Sequence, residues 1–118
     1  MNDHYHELSS PGTTVTVRVG EQVVARSDNT VRLEEFARGR GMDPVYYFPP
    51  EDVQMGSLAP TATQTHCPIK GDAAYWTYQH GDESLVDLAW GYPTPIESSQ
   101  GIAGLMAFDK RRVSIEVE

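Results

Sequence analysis

Cysteine is nearly missing from this sequence: Cys67 is the only one in 118 residues. No intramolecular disulfide can form, and a lone thiol suits a reducing compartment, so we expect a cytoplasmic protein. Basic residues are also scarce. Nine Lys and Arg face 17 Asp and Glu, for a formal charge of −8. The densest basic clusters, Arg38 with Arg40 and Lys110-Arg111-Arg112, sit beside Gly or Asp and read as solvated turns. Without a concentrated basic face, neither nucleic acid nor an anionic membrane surface is an expected partner. No apolar run approaches the length that spans a bilayer. The segment from Met1 to Gly12 is polar and lacks the basic flank and apolar stretch of a secretory leader. Long helical periodicity is absent as well.

Short runs of β-prone residues punctuated by turn chemistry take its place. Val15, Val17 and Val19 alternate with polar residues, Gly20-Glu21 matches a two-residue turn, and Val23-Val24-Ala25 returns. Val31 and Leu33 mark a third strand after Asp28-Asn29. Ala37 to Pro44 reads as a loop, Val45 to Phe48 as a strand stopped by Pro49-Pro50, and Glu51 to Leu58 as a short helical turn. Thr61 to Thr65 leans towards strand, and Ala73 to Gln79 and Ser84 to Trp90 flank a turn at His80-Gly81-Asp82. Ile102 to Phe108 and Arg112 to Val117 read as a closing hairpin. The expectation is an all-β fold, a single compact domain over residues 13–118 with about eight short strands and little helix, preceded by a flexible tail over residues 1–12. Periodicity does not choose between a roll, a sandwich and a half-open barrel.

Several blocks carry a family pattern. They are Val45-Tyr-Tyr-Phe-Pro-Pro-Glu-Asp-Val53, Leu58 to Thr61, Thr65-His-Cys-Pro-Ile-Lys-Gly71 with Tyr75, Ala89-Trp-Gly-Tyr92 with Pro95, and Gly104 to Phe108. Together they resemble the family known as domain of unknown function 427, from about Val15 to Val117. That resemblance implies a β-tent or β-roll fold whose sheets lean together over a pocket, with no established activity. Related β-tent domains hold zinc through paired Cys-x-x-Cys motifs, which one cysteine cannot build, so no zinc or other metal site is expected. The family's nucleotidyltransferase-like label also finds little here. Such chemistry wants two close carboxylates beyond a Gly-Ser turn, and nothing suitable follows Gly56-Ser57. Two departures are visible: Arg26 stands where the family usually has Asp, and the Ala37 to Pro44 loop is longer than usual.

Cys67 and Lys70 are the candidate catalytic pair, because a cation folded back over a thiol favours the thiolate. Glu35, Tyr47, His66, Tyr75, Trp90 and Tyr92 are the candidate ligand-binding residues. Against these stand plainer readings: Cys67 as a small buried hydrophobe, Lys70 as a snorkelling strand end, the aromatics as core, and Asp52 as a helical cap. His4 and His6 read as solvated rather than metal-binding. The function expected is binding of a small polar or anionic metabolite around Cys67 to Lys70, with a reaction on it left open and no cofactor called for. The alternative is a non-catalytic structural or protein-interaction module, with nucleotidyl transfer a disfavoured third reading.

Overall fold

A computed structural model describes residues 4–118. These form eleven strands, β1 (His4–Ser9), β2 (Val15–Val19), β3 (Gln22–Ser27), β4 (Val31–Ala37), β5 (Arg40–Gly41), β6 (Val45–Tyr47), β7 (Leu58–Cys67), β8 (Gly71–His80), β9 (Glu83–Gly91), β10 (Met106–Phe108) and β11 (Ser114–Val117), with 3₁₀ turns at Pro50–Asp52, Met55–Ser57 and Glu97–Ile102. The domain is mainly β. No helix among the described residues is long and apolar enough to cross a membrane.

The strands make three antiparallel sheets. One has β4 at its centre, with β1 along one edge and both β5 and β6 along the other. The second runs β10-β9-β8-β7, and the third β11-β2-β3. Isolated bridges stitch them together, notably Phe48 with Met106 and Ala25 with Val53. Two apolar clusters fill the space between. Val15, Val17, Phe48, Tyr78, Leu88 and Met106 anchor the first; Leu33, Tyr47, Tyr92, Ile102 and Ala107 form the second. The pleat sorts neighbouring aromatics to opposite faces. Tyr47 enters the second cluster, while Tyr46 packs against the first. Phe48 meets Phe108 edge to face at 5.7 Å.

Four local expectations are corrected. Residues 4–9 of the expected tail are strand, with His6 opposite Glu35 and Leu8 opposite Leu33; residues 1–3 lie outside those described. The period-two pattern was there, but the inward positions are His4, His6 and Leu8, and two polar residues disguised it. The expected loop from Ala37 to Pro44 contains a tight hairpin, because Arg38 and Gly39 both adopt positive φ, 55° and 75°. The expected closing hairpin does not form: β10 pairs with β9 and β11 with β2. Asp109 binds the backbone N–H and guanidinium of Arg111 and so turns the chain away between them. Asp52 caps nothing; it accepts a hydrogen bond from Ser27 at 2.6 Å.

Candidate functional site

The turn between β7 and β8 sets the site. Cys67 and Gly71 are paired, and the Lys70 N–H donates to the Cys67 carbonyl at 3.2 Å. Gly71 is at φ 117°, and a Cβ there would meet Pro95 Cα at 3.3 Å, so the turn sits close on the Pro95-Ile96 backbone. The Ile96 N–H donates back to the Lys70 carbonyl at 2.9 Å. Held this way, Lys70 points inward and its side chain is 11% exposed.

A buried ammonium needs a partner. Lys70 Nζ donates to Glu35 Oε1 at 3.0 Å and lies 5.8 Å from the centre of the Tyr92 ring. The other Glu35 oxygen accepts from His4 Nε2 at 2.7 Å. Burial works to raise the Glu35 pKa, but the hydrogen bonds from His4 and Lys70 outweigh it and hold the carboxyl below its ordinary value. Burial likewise works against the Lys70 charge, and the Glu35 hydrogen bond reverses it, so the ammonium is held above its ordinary value. Below the pair, Ser99 donates to the Ile69 carbonyl at 2.8 Å and accepts from His6 Nε2 at 2.7 Å. Strand β1 is thus tied to the Lys70 turn through two histidines.

Beside Lys70 opens a cleft of about 360 Å³. Lys70, Tyr75, Trp90 and Tyr92 line one part of it, and Asp87, Asp109, Arg111 and Arg112 the rest. Burial pushes the Tyr92 phenol up to about 12, only partly offset by the Lys70 charge, so it stays a neutral donor. Tyr75 shares a hydrogen bond with Thr65 at 2.9 Å. Asp109 is held down to about 2, chiefly by the Arg111 hydrogen bonds, with Arg112 adding another. Asp87 adopts φ 55° where the β8–β9 register shifts. Such a conformation in a non-glycine residue costs about 1–3 kcal/mol and must be held by its surroundings. Here Thr61 and Thr63 each donate to its carboxylate at 2.7 Å, and Thr77 accepts its N–H at 3.1 Å.

Of the eight residues singled out in the sequence, Lys70, Tyr75, Trp90 and Tyr92 share this cleft. Glu35 and Tyr47 stand behind it, the first through the ion pair and the second through its ring contact with Tyr92 at 6.5 Å. Cys67 packs against the second apolar cluster and lines none of the cavities described here, although a charge on its sulfur would act on Lys70 and Tyr92. His66 is not brought in; it is exposed and hydrogen-bonds Asp72 at 2.8 Å. Asp87, Asp109, Arg111 and Arg112 were missed. A carboxylate set between Val86 and Leu88 in a β-prone run was the signal for Asp87. For Asp109 to Arg112, only the abundance of charge in a short turn stood out.

Tyr47 is fully buried, and its hydroxyl makes no hydrogen bond of good geometry. Burial pushes the phenol up to about 12, partly offset by the nearby Trp90 indole. An unpaired buried hydroxyl costs roughly 1–3 kcal/mol. Tyr47→Phe is therefore expected to leave the urea midpoint unchanged or raise it, by up to about 1 kcal/mol in stability. A loss of more than about 1 kcal/mol would show that the hydroxyl is paired in solution.

A family model described as domain of unknown function (DUF427) matches residues 7–118, nearly the whole chain. The chain belongs to the DUF427 family. No curated protein matches it. The DUF427 model also carries a nucleotidyltransferase name, which puts weight on the carboxylates of the cleft. Asp87 and Asp109 share that cleft in this DUF427 domain, but threonine hydroxyls engage the first and guanidinium groups the second. Among the described residues, no three His, Cys, Asp or Glu side chains group as metal ligands would. Arg26 is exposed and lines a separate depression with Ser27 and Asp52.

Proposed function

We propose that this DUF427 protein binds a small polar or anionic metabolite in the cleft beside the Cys67 to Lys70 turn. One observation carries the reading: an inward Lys70 ammonium and three aromatic side chains meet at a single cleft in a chain of net charge −8. Lys70 supplies the charge and Trp90 a flat surface, while Tyr75 and Tyr92 offer phenol hydroxyls to a ligand's acceptors. Arg111 and Arg112 add cations at the open end. Lys70 carries more of this reading than Cys67, which stands back from the cleft wall. As a nucleotidyl transferase the site fits poorly, since both carboxylates are already engaged within the protein.

The experiment is a thermal-shift screen of small carboxylates and phosphates, run on the wild type and on the Lys70→Met/Glu35→Leu double variant. The double variant removes both charges together and so keeps the fold. A bound ligand at a hundred times its Kd adds about 2.7 kcal/mol to stability. A rise in Tm with wild type that disappears in the double variant is the expected result. No response in either protein would favour a non-catalytic structural or protein-interaction module instead, and an undiminished response in the double variant would put the ligand away from Lys70.

A further inference from the structure

A second and larger cavity, about 550 Å³, adjoins the cleft. It opens where all three sheets meet: β11 brings Ile115 and Val117, β2 brings Val17, the segment before and through β6 brings Pro44 to Tyr46, and β9 and β10 bring Trp90 and Phe108. Its walls are apolar except at one lip, formed by Asp109, Lys110 and Arg111. Trp90, Asp109 and Arg111 line both this cavity and the cleft, so the two compartments share an edge. The combined lining holds four cations, Lys70, Lys110, Arg111 and Arg112, against two carboxylates, Asp87 and Asp109.

We infer that the ligand is an amphiphilic monocarboxylate, with an apolar body in the larger cavity and its carboxylate at the basic edge near Arg111 and Lys70. This inference rests on the proposed cleft function and narrows its ligand class. The cavity is of the size that takes a drug-sized apolar group. Its charge complement favours one negative charge over two, because each cation already has a protein partner: Lys70 has Glu35, Lys110 has Asp43, and both arginines have Asp109. The Arg111 side chain is 85% exposed, and its guanidinium keeps N–H donors beyond those given to Asp109, so a carboxylate is met without breaking that pair.

The test is calorimetric titration with straight-chain carboxylates from butanoate to dodecanoate, below their micelle concentrations, and with the matching primary alcohols. Affinity is expected to tighten about fourfold per added methylene until the cavity is filled, as burial of each methylene predicts. Alcohols are expected to bind about tenfold more weakly than acids of equal length. Arg111→Gln should narrow that acid-to-alcohol ratio. Ile115→Glu should flatten the length dependence; Ile115 is 36% exposed on an edge strand, and Val117→Glu, at 49% exposed, serves if that variant does not fold. Equal affinity for butanoate and decanoate would overturn the inference and leave anion binding in the cleft standing. Equal affinity for acid and alcohol would overturn the carboxylate head. No binding by any member of the series, with short anions also silent in the thermal screen, would overturn both readings.

Discussion

Lys70→Met alone is expected to cost about 3 kcal/mol of folding stability, and adding Glu35→Leu to restore most of it. Removing one member of a buried ion pair typically costs 3–5 kcal/mol, because the other charge is left without compensation. The Lys70 and Glu35 side chains are 11% and 19% exposed, and His4 still donates to Glu35 in the single variant, which places the expected loss at the lower end. Exchanging both charges for apolar groups of similar volume removes the desolvation cost along with the attraction, and such exchanges are often neutral. Urea unfolding of the two variants reads this directly. A single variant that loses less than about 1 kcal/mol would make the pair equivalent to a surface salt bridge. The pH dependence has a definite sign. The Glu35 pKa is lowered by folding, so its contribution is present above the ordinary glutamate value and lost as pH falls through the folded one. The Lys70 pKa is raised, so its contribution is full below the ordinary lysine value and lost as pH rises through the folded one. The pair therefore stabilises the fold across the neutral range and weakens at both extremes.

Gly91→Ala is expected to be about as damaging, for a steric reason. A Cβ at Gly91 would stand 2.5 Å from the Leu105 carbonyl oxygen and 3.7 Å from the Trp76 ring. Neither neighbour is the loose end of a flexible chain. Gly91 is paired on one side with Met106 of β10 and on the other with Ala74 of β8, so relief requires β10 to move as a unit. Overpacking of this kind costs about 3 kcal/mol at the upper end of its usual range. In a domain of this size the melting temperature should fall by roughly 10 °C. Gly56→Ala is the control: nothing lies within 4 Å of a Cβ there, so a change near zero is expected. Because Trp90 and Tyr92 flank Gly91, ligand response should fall with stability. A Gly91→Ala protein within about 1 kcal/mol of wild type would show that β10 slides easily on β9.

Much of the architecture was legible from the sequence because it is written in local signals. Val15 to Val19 alternates, Gly20-Glu21 turns, and β2 and β3 follow with a register shift between Val17 and Arg18. The His80-Gly81-Asp82 turn likewise foretold β8 and β9. Pairing between distant segments was not legible. Nothing in Ser114 to Val117 says that it lies against β2 rather than β10, since either partner satisfies the same alternation. Strand β1 was missed because hydrophobicity does not mark histidines that are used as inward anchors. In the site, Glu35 and Lys70 were both singled out, but their contact across 35 residues needed the fold. Arg111 and Arg112 were set aside as a solvated turn. Arg111 is indeed largely outside, but Arg112 is only 36% exposed and donates to the Val86 and Asp87 carbonyls, and Asp109, 13% exposed in its side chain, ties both to the cleft wall.

The pairing of β11 with β2 has a consequence in time. Val117 lies opposite Val15 and Ser114 opposite Arg18, so this sheet is complete only when segments about a hundred residues apart have met. The entropy of closing such a loop is lost before any of its contacts form. Chains whose native contacts are mostly of this kind fold in milliseconds to seconds rather than microseconds. Ile115 and Val117 also wall the apolar cavity, so that cavity is complete only once β11 has paired with β2.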